Sequence, residues 1–393
     1  MGLKRIVFFL SGSFPEGNAS NSRIKAHALA LMEAGHSVSL VYKWASSFNN
    51  EGVNSETNGI WQGIPFRYIT NNNKRPSNLT GKMRQSVIST FRGIQYFVSK
   101  NKEFDCCYFY SPDLVTSWHL ILLSKIYNKK TVFEQTELKS SNTDKRTNAQ
   151  KLLLFFDILD EHIAHVLCDH QVVISHNLYN NYKSHFKENR ITLIPIVVDL
   201  KRFKNDSIKK ENLIGYLGSF GAKDGVEGIL NAFAMAQNVR PELRLRLMGH
   251  CLDINVVESW IKHRNLTDVV ELTGLVLYNH VPTLLEECEL LIMNRVNTKY
   301  AHYGSPTKLA EYLASAVPSI FTNVGDVTHY VTNGKDVTII PPENDEALAS
   351  AILDRFAFRA KYDNIGAEGR LTCERVFSHR IQLKKLDEIF SNL

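Results

Sequence analysis

The most chemically informative stretch of the 393-residue chain is Tyr303-Gly-Ser-Pro-Thr-Lys-Leu-Ala-Glu-Tyr312. Ser305 suits a helix N-cap and Pro306 the first helical position. A helix starting there presents free backbone N–H groups and the positive end of its dipole, which together favour a phosphate. Lys308 falls in the first turn and adds a mobile positive charge. Glu311 follows three residues later on the same face. From Ser305 to Glu311 the helix rises ~9 Å at 1.5 Å per residue, which matches the reach from a diphosphate to the ribose of one nucleotide. A carboxylate at that distance can accept hydrogen bonds from both ribose hydroxyls. The same pattern also suits a capped amphipathic helix with an exposed Lys and Glu.

The elements around this stretch alternate between strand and helix. Residues 4–11 read as an apolar strand, 12–21 as a Gly/Ser/Asn-rich loop, 22–34 as a helix stopped by Gly35, and 36–44 as the next strand. Further strands are expected at 64–69, 106–110, 131–135, 171–175 and 191–196, with helices at 82–100, 112–127, 148–168 and 177–186. A second set starts near Asn212, with strands at 213–219, 243–249, 269–273, 289–293, 318–323 and 337–341. Its helices are expected at 225–237, 253–264, 281–287, 306–316, 326–333, 344–356, 359–373 and 377–391. Strands that are apolar throughout imply sheets covered on both faces. The expected fold class is therefore α/β, with two Rossmann-like, doubly wound parallel-sheet domains facing a cleft. The expected boundaries are 1–198, 199–376, and a last helix at 377–393 packing back on the N-terminal domain. The polar, Lys-rich segment from Pro195 to Glu211 forms the join.

Several ligand classes are disfavoured. The loop after the first strand, Ser11-Gly-Ser-Phe-Pro-Glu-Gly-Asn18, lacks GxGxxG, and the second strand ends in Tyr42-Lys43-Trp44 without an acid for a dinucleotide ribose. There is no GxxxxGK[ST] and no Asp-x-Asp, which removes a P-loop and the usual metal–diphosphate motif. Glu161, His162, His165 and Cys168 have helical spacing, with Asp169 and His170 next, but residues 152–156 (LLLFF) make that helix a packing element. No metal is expected. Two basic residues and five apolar ones near the start are too short for a signal peptide, and no run reaches the ~18 apolar residues of a membrane span. The six Cys show no disulfide framework, which fits a reducing cytoplasm.

With those elements in order, the chain resembles the GT-B glycosyltransferases, in particular the retaining family-4 type that builds surface polysaccharides. The resemblance is strongest over residues 190–380. Ile194-Pro-Ile-Val-Val-Asp199-Leu-Lys-Arg-Phe203 is similar to the family's interdomain segment, and Tyr216-Leu-Gly-Ser-Phe-Gly-Ala-Lys-Asp-Gly225 to the first strand–loop–helix of its donor domain. Leu247-Met-Gly249 resembles the next strand end. Gly304 to Pro318 resembles the S-P-x-K-x-x-E-Y form of the donor-site helix. The resemblance implies that Glu311 holds the donor ribose and that Gly304, Ser305, Lys308 and Leu309 belong to the donor site. The first Glu of the family's E-x7-E pair is replaced by Tyr303. In the loop after the first donor-domain strand, Ser219 takes the Arg position. The Lys position is Lys223 or, by strict count, Asp224, and Lys223 is favoured. Arg295 is a second diphosphate candidate. In the N-terminal half, Gly12 and Ser13 resemble the loop that approaches the diphosphate and acceptor. Glu134 and Glu137 stand near a position where the family often has His, as candidates for acceptor contact or a basic role. Asp113 and His119 are weaker candidates. The resemblance further implies transfer from a nucleotide sugar with retention, no bound metal and no cofactor. An epimerase of the same fold and a non-catalytic sugar-nucleotide scaffold remain alternatives.

Charge adds the acceptor side. Residues 1–199 carry 23 basic and 16 acidic side chains, whereas 200–393 carry 23 and 24. No acidic residue lies between Glu56 and Glu103, where Arg67, Lys74, Arg75, Lys82, Arg84, Arg92, Lys100 and Lys102 occur. Met83, Val87, Phe91, Ile94 and Val98 have 3–4 spacing within that stretch. A glycan or polyprenyl-diphosphate-linked acceptor at an anionic membrane explains both features, with Lys82, Arg84 and Arg92 as the docking patch. No nucleic-acid partner is expected. The expected location is cytoplasmic and peripheral on the inner face of the cell membrane.

Overall fold

The computed structural model describes residues 2–17, 19–44, 54, 56–74, 76, 78–110, 117–138, 141, 151, 154–155, 158–159, 164–184, 190–249 and 253–393. Asp113, Glu161, His162 and most of the expected 148–168 helix lie outside the described residues. The chain divides into two compact units, residues 1–195 with 379–393, and residues 196–378.

Unit 1 is built on a sheet of β1 (Arg5–Leu10), β2 (Ser37–Tyr42), β3 (Asn58–Trp61), β4 (Ile64–Tyr68), β5 (Cys106–Tyr110), β6 (Lys130–Gln135), β7 (His170–Val173) and β8 (Ile191–Leu193). The strand order is β3-β4-β2-β1-β5-β6-β7-β8. All neighbours pair in parallel except β3, which runs antiparallel to β4. This edge strand departs from the expected all-parallel sheet. Gln62 and Gly63, both at positive φ, make the tight turn that returns the chain along β4. The helices are α1 (Ala19–Glu33), α2 (Leu79–Lys100), α3 (Trp118–Ile126) and α4 (His176–Tyr182). Every residue of β5 is buried, including Cys106 and Cys107. Val7, Phe9, Phe109 and Phe133 pack with Phe97 of α2 and Leu120 and Ile121 of α3. His165 meets Phe133 edge-on and Tyr182 at a tilt, and Cys168 is buried, so both serve packing.

Unit 2 holds a six-stranded, all-parallel sheet of order β11-β10-β9-β12-β13-β14. Its strands are β9 (Leu213–Leu217), β10 (Arg244–Met248), β11 (Val270–Gly274), β12 (Leu290–Met293), β13 (Ser319–Thr322) and β14 (Thr338–Ile340). The covering helices include α5 (Val226–Val239), α6 (Ile254–His263), α7 (Val281–Glu286), α8 (Lys299–Tyr303), α9 (Thr307–Ala314), α10 (Val327–Tyr330), α11 (Asp345–Ala357) and α12 (Arg359–Val376). Ile214, Tyr216, Leu247 and Ile292 meet Ile229 and Phe233 of α5 and Ile352 of α11 in one core. In both units the strand order reverses beside the first strand, at β1/β5 and at β9/β12. The C-terminal strand ends at such a reversal are the usual ligand position in sheets of this kind.

The last helix, α13 (His379–Ser391), belongs to unit 1 and packs on α1. Its Phe390 is fully buried near Tyr108 and His36, and Asp387 accepts a 3.0 Å contact from His36 Nε2. Phe390→Ala leaves a cavity in that packing and should cost unit 1 about 3–5 kcal/mol. Urea unfolding should show an earlier transition for unit 1. A change below about 1 kcal/mol would mean α13 adds little to that core.

Candidate functional site

Unit 2 brings Asp224 and Lys308 together at the C-terminal end of the sheet. The loop from Gly218 to Gly225 follows β9, and α9 enters beside β12. Gly218 cannot carry a side chain, because a Cβ there would lie 2.1 Å from Tyr216 Oη and 2.5 Å from Lys308 Nζ. Gly249, at φ +129°, would place its Cβ 1.9 Å from the Gly218 carbonyl oxygen. Two glycine backbones therefore touch where β9 and β10 end, and Lys308 lies against them.

Ser305 and Pro306 are not arranged as the expected N-cap and first helical residue. Pro306 itself is the N-cap, at φ −75° and ψ 115°, and α9 begins at Thr307. The Ser305 Oγ is buried with no hydrogen-bond partner in the structure. It is thus an unused donor beside the free N–H groups of the helix start. Leu309 is also corrected. Its side chain is in the core and its N–H is taken by the Pro306 carbonyl at 3.0 Å, which leaves no group for a ligand. Gly304 accepts a 3.4 Å hydrogen bond from Arg295 Nη1, and the Arg295 carbonyl accepts one from Thr322 at 2.9 Å. Arg295 is buried beneath the loop rather than standing free.

Lys308 is held rather than mobile. Its ammonium donates to Asp224 Oδ1 and to Tyr216 Oη, and lies 4.6 Å from the centre of the Tyr216 ring. Asp224 accepts from Ser219 Oγ and from the Gly221 N–H, both at 3.1 Å. Burial raises the Asp224 carboxyl pKa, but Lys308 outweighs it and holds the value below the ordinary one. Burial lowers the Lys308 pKa, with Asp224 opposing. Lys223 points elsewhere and covers the Tyr300 ring at 4.8 Å.

Glu311 forms the second charged pair. Its Oε1 is 3.8 Å from Arg202 Nη1. The Arg202 guanidinium lies 3.3 Å over the Tyr278 ring and donates to the Tyr278 carbonyl, while its Nε is buried without a partner. Burial raises the Glu311 pKa, and Arg202 and Lys308 pull it back. Arg202 and Tyr278 were not singled out by type or spacing, and Asp224 only as the strict-count alternative to Lys223. Arg202 does lie within the quoted 194–203 segment, but its partners are some 76 and 109 residues away in sequence.

At the corresponding edge of unit 1, Gly12 turns at φ +128° and its carbonyl accepts from Tyr68 Oη at 3.2 Å. The Phe14 N–H donates to the same hydroxyl at 2.8 Å, and Ser13 between them is buried. Glu137 is half-buried, and its carbonyl accepts from Gln135. Glu134 is corrected from an acceptor-contact or basic role to a buried one. It is fully enclosed and bound by Arg23 Nε and Tyr108 Oη, with His27 Nδ1 at 3.5 Å. Arg23 also donates to the carbonyls of Ile194 and Pro195. Burial pushes the Glu134 pKa up, but the Arg23 guanidinium more than compensates and holds it at about 2. Burial also lowers the His27 pKa, with Glu134 opposing. His119 is buried in α3.

Residues 197–372 match the family model described as Glycosyl transferases group 1. The matched segment lies within unit 2. Within the curated relatives, a 169-residue stretch is 21% identical to WcaL of Salmonella typhimurium, named for colanic acid biosynthesis as a glycosyltransferase, and covers 42% of each chain. The chain spans only 17% and 42% of the length of the two curated relatives it matches. Among solved structures, sucrose-phosphate synthase from Thermosynechococcus elongatus superposes with TM-score 0.78 at 15% identity, covering 99% of this chain and 98% of the other. Anabaena HepE in complex with UDP and glucose gives 0.71 at 13%, covering 99% and 100%. The fold is GT-B.

The Arg23–Glu134 pair yields a stability prediction. Glu134→Gln leaves Arg23 buried without its counter-charge and should destabilise unit 1 by about 3–5 kcal/mol. Since the folded-state pKa is depressed, this stability is present above the ordinary carboxylate range and is lost as pH falls toward about 2. Denaturant titrations of both forms across that acid range should converge. A constant gap would show that charge pairing is not the source.

Proposed function

We propose that the chain is a glycosyltransferase that moves a sugar from a nucleotide-sugar donor held by unit 2 to a glycan or lipid-linked acceptor held by unit 1, in surface polysaccharide biosynthesis. The observation that carries this reading is the order along α9, with Lys308 in the first turn and Glu311 one turn on, in the matched domain. Glu311 accepts from the ribose hydroxyls, while Lys308, the free N–H groups of α9 and Ser305 Oγ face the diphosphate. These groups stabilise charge on the leaving diphosphate without reorganising during reaction. The reaction retains configuration, with the acceptor attacking from the leaving-group side, and needs neither a bound metal nor a cofactor. The HepE complexes with UDP, glucose and UDP-glucose support a nucleotide-sugar donor for this fold.

Glu311→Gln should weaken nucleotide-sugar binding by at least about tenfold while keeping the fold, because one strong acceptor is lost. In the wild type the raised Glu311 pKa predicts that binding declines on acidification above the ordinary value of 4.5. That acid limb should vanish in the variant. Calorimetric titration with UDP- and GDP-sugars checks both. Unchanged binding in Glu311→Gln would overturn the donor-site reading. Chromatography of donor incubated with membrane extract separates transfer to lipid from isomerisation or no turnover, and only transfer supports the proposal.

The acceptor side of the reading is peripheral and membrane-facing. No helix among the described residues is long and apolar enough to cross a membrane. The outer face of α2 carries Met83, Val87, Phe91 and Val98, all exposed, while its inner face buries Gln85, Ser89 and Phe97. Lys82, Arg84 and Arg92 are exposed beside the apolar stripe. On the adjacent α3, Trp118, Leu122 and Ile126 are exposed as well. This pattern suits an interfacial helix that buries its apolar side in an anionic leaflet. Replacing Lys82, Arg84 and Arg92 by Gln should reduce co-sedimentation with phosphatidylglycerol vesicles by about a hundredfold, at roughly 1 kcal/mol per basic residue. Unchanged binding would refute the docking surface.

A further inference from the structure

The Lys308–Asp224 contact places a carboxylate where a donor diphosphate would come. Lys308 Nζ touches Asp224, Tyr216 Oη and the Tyr216 ring, and it leaves no room for a side chain on Gly218. Asp224 is itself fastened by Ser219 Oγ and by the Gly221 N–H, so its position follows from the loop and not from Lys308 alone. Its side chain is 6% exposed and that of Lys308 is 14%. The two come from opposite sides of the switch point between β9 and β12, 84 residues apart. Lys223, the preceding residue in the loop, lies over the Tyr300 ring at 4.8 Å.

We propose that Asp224 is a positioning residue that holds the Lys308 ammonium at the mouth of the loop and competes with the nucleoside diphosphate for it. This deepens the donor-site reading given above and rests on it. A diphosphate approaching Lys308 meets both the attraction of the ammonium and the repulsion of the neighbouring carboxylate. Asp224 thereby aims Lys308 while weakening the grip on the departing nucleoside diphosphate. The competition acts on the phosphates alone. It leaves recognition of the nucleoside, which falls to Glu311, untouched.

The test compares UDP and GDP with uridine and guanosine by calorimetry, using the full chain. Asp224→Asn keeps the shape, can still accept from Ser219 Oγ and the Gly221 N–H through its amide oxygen, and removes both the charge and the acceptor facing Lys308. It should bind the diphosphate that the wild type binds about tenfold more tightly, the value of one charge-assisted contact, and bind the matching nucleoside unchanged. Asp224→Glu restores the charge and should return the ratio toward that of the wild type. In the Lys308→Met background, Asp224→Asn should yield a much smaller gain, because the competed cation is gone. If Asp224→Asn weakens nucleoside and diphosphate equally, or leaves their ratio unchanged, Asp224 merely shapes the loop and the inference fails. If the wild type binds none of the four probes, the donor-site reading itself fails, which is a different and visible outcome.

Discussion

Desolvation of charge is the constraint on which the arrangement of unit 2 depends. Lys308 and Asp224 are both withdrawn from water, and a buried ion is tolerated only where its partners are complete. Around that pair, Gly218 after β9 meets Gly249 after β10, and Tyr216 offers both its hydroxyl and its ring to one ammonium. Ser219 and Gly221 occupy the second oxygen of Asp224. The parallel sheet supplies the frame, because only the ends of β9, β10 and β12 bring these residues together.

Unit 1 meets the same constraint differently. Arg23 and Glu134 are enclosed inside the fold, and the remaining N–H groups of Arg23 reach the carbonyls of Ile194 and Pro195. A charge that would be exposed and reactive at a sheet edge is here committed to holding α1, β6 and the end of the unit as one piece. The catalytic candidate became a strut because its carboxylate has no oxygen facing water. Glu137, three residues on and past the end of β6, keeps the more open position.

The helix α2 shows why amphipathicity alone does not assign a face. Its apolar spacing was plain in the sequence, and an apolar stripe ordinarily turns to the core. Here Gln85, Ser89 and Gly93 face inward beside Phe97, and the stripe faces out. Gly93 faces Ile69, His119 and Leu120, and Gln85 donates its amide N–H to the Lys74 carbonyl, contacts that no periodicity reports.

Continuous apolar strands and their punctuation by Gly and Pro were enough to establish the alternating α/β pattern, all six strands of unit 2, and the place of Lys308 and Glu311 on one helix face. Those features are local, since each depends on residues within a turn or a strand of one another. The antiparallel β3 escaped because its four residues carry no strong pattern and are specified by pairing with β4. The roles of Asp224, Arg202 and Tyr278 escaped because they arise from partners far along the chain. Which charges are buried, which serine is left without a partner and which glutamate is enclosed depend on long-range packing and desolvation, and only the tertiary structure decides them.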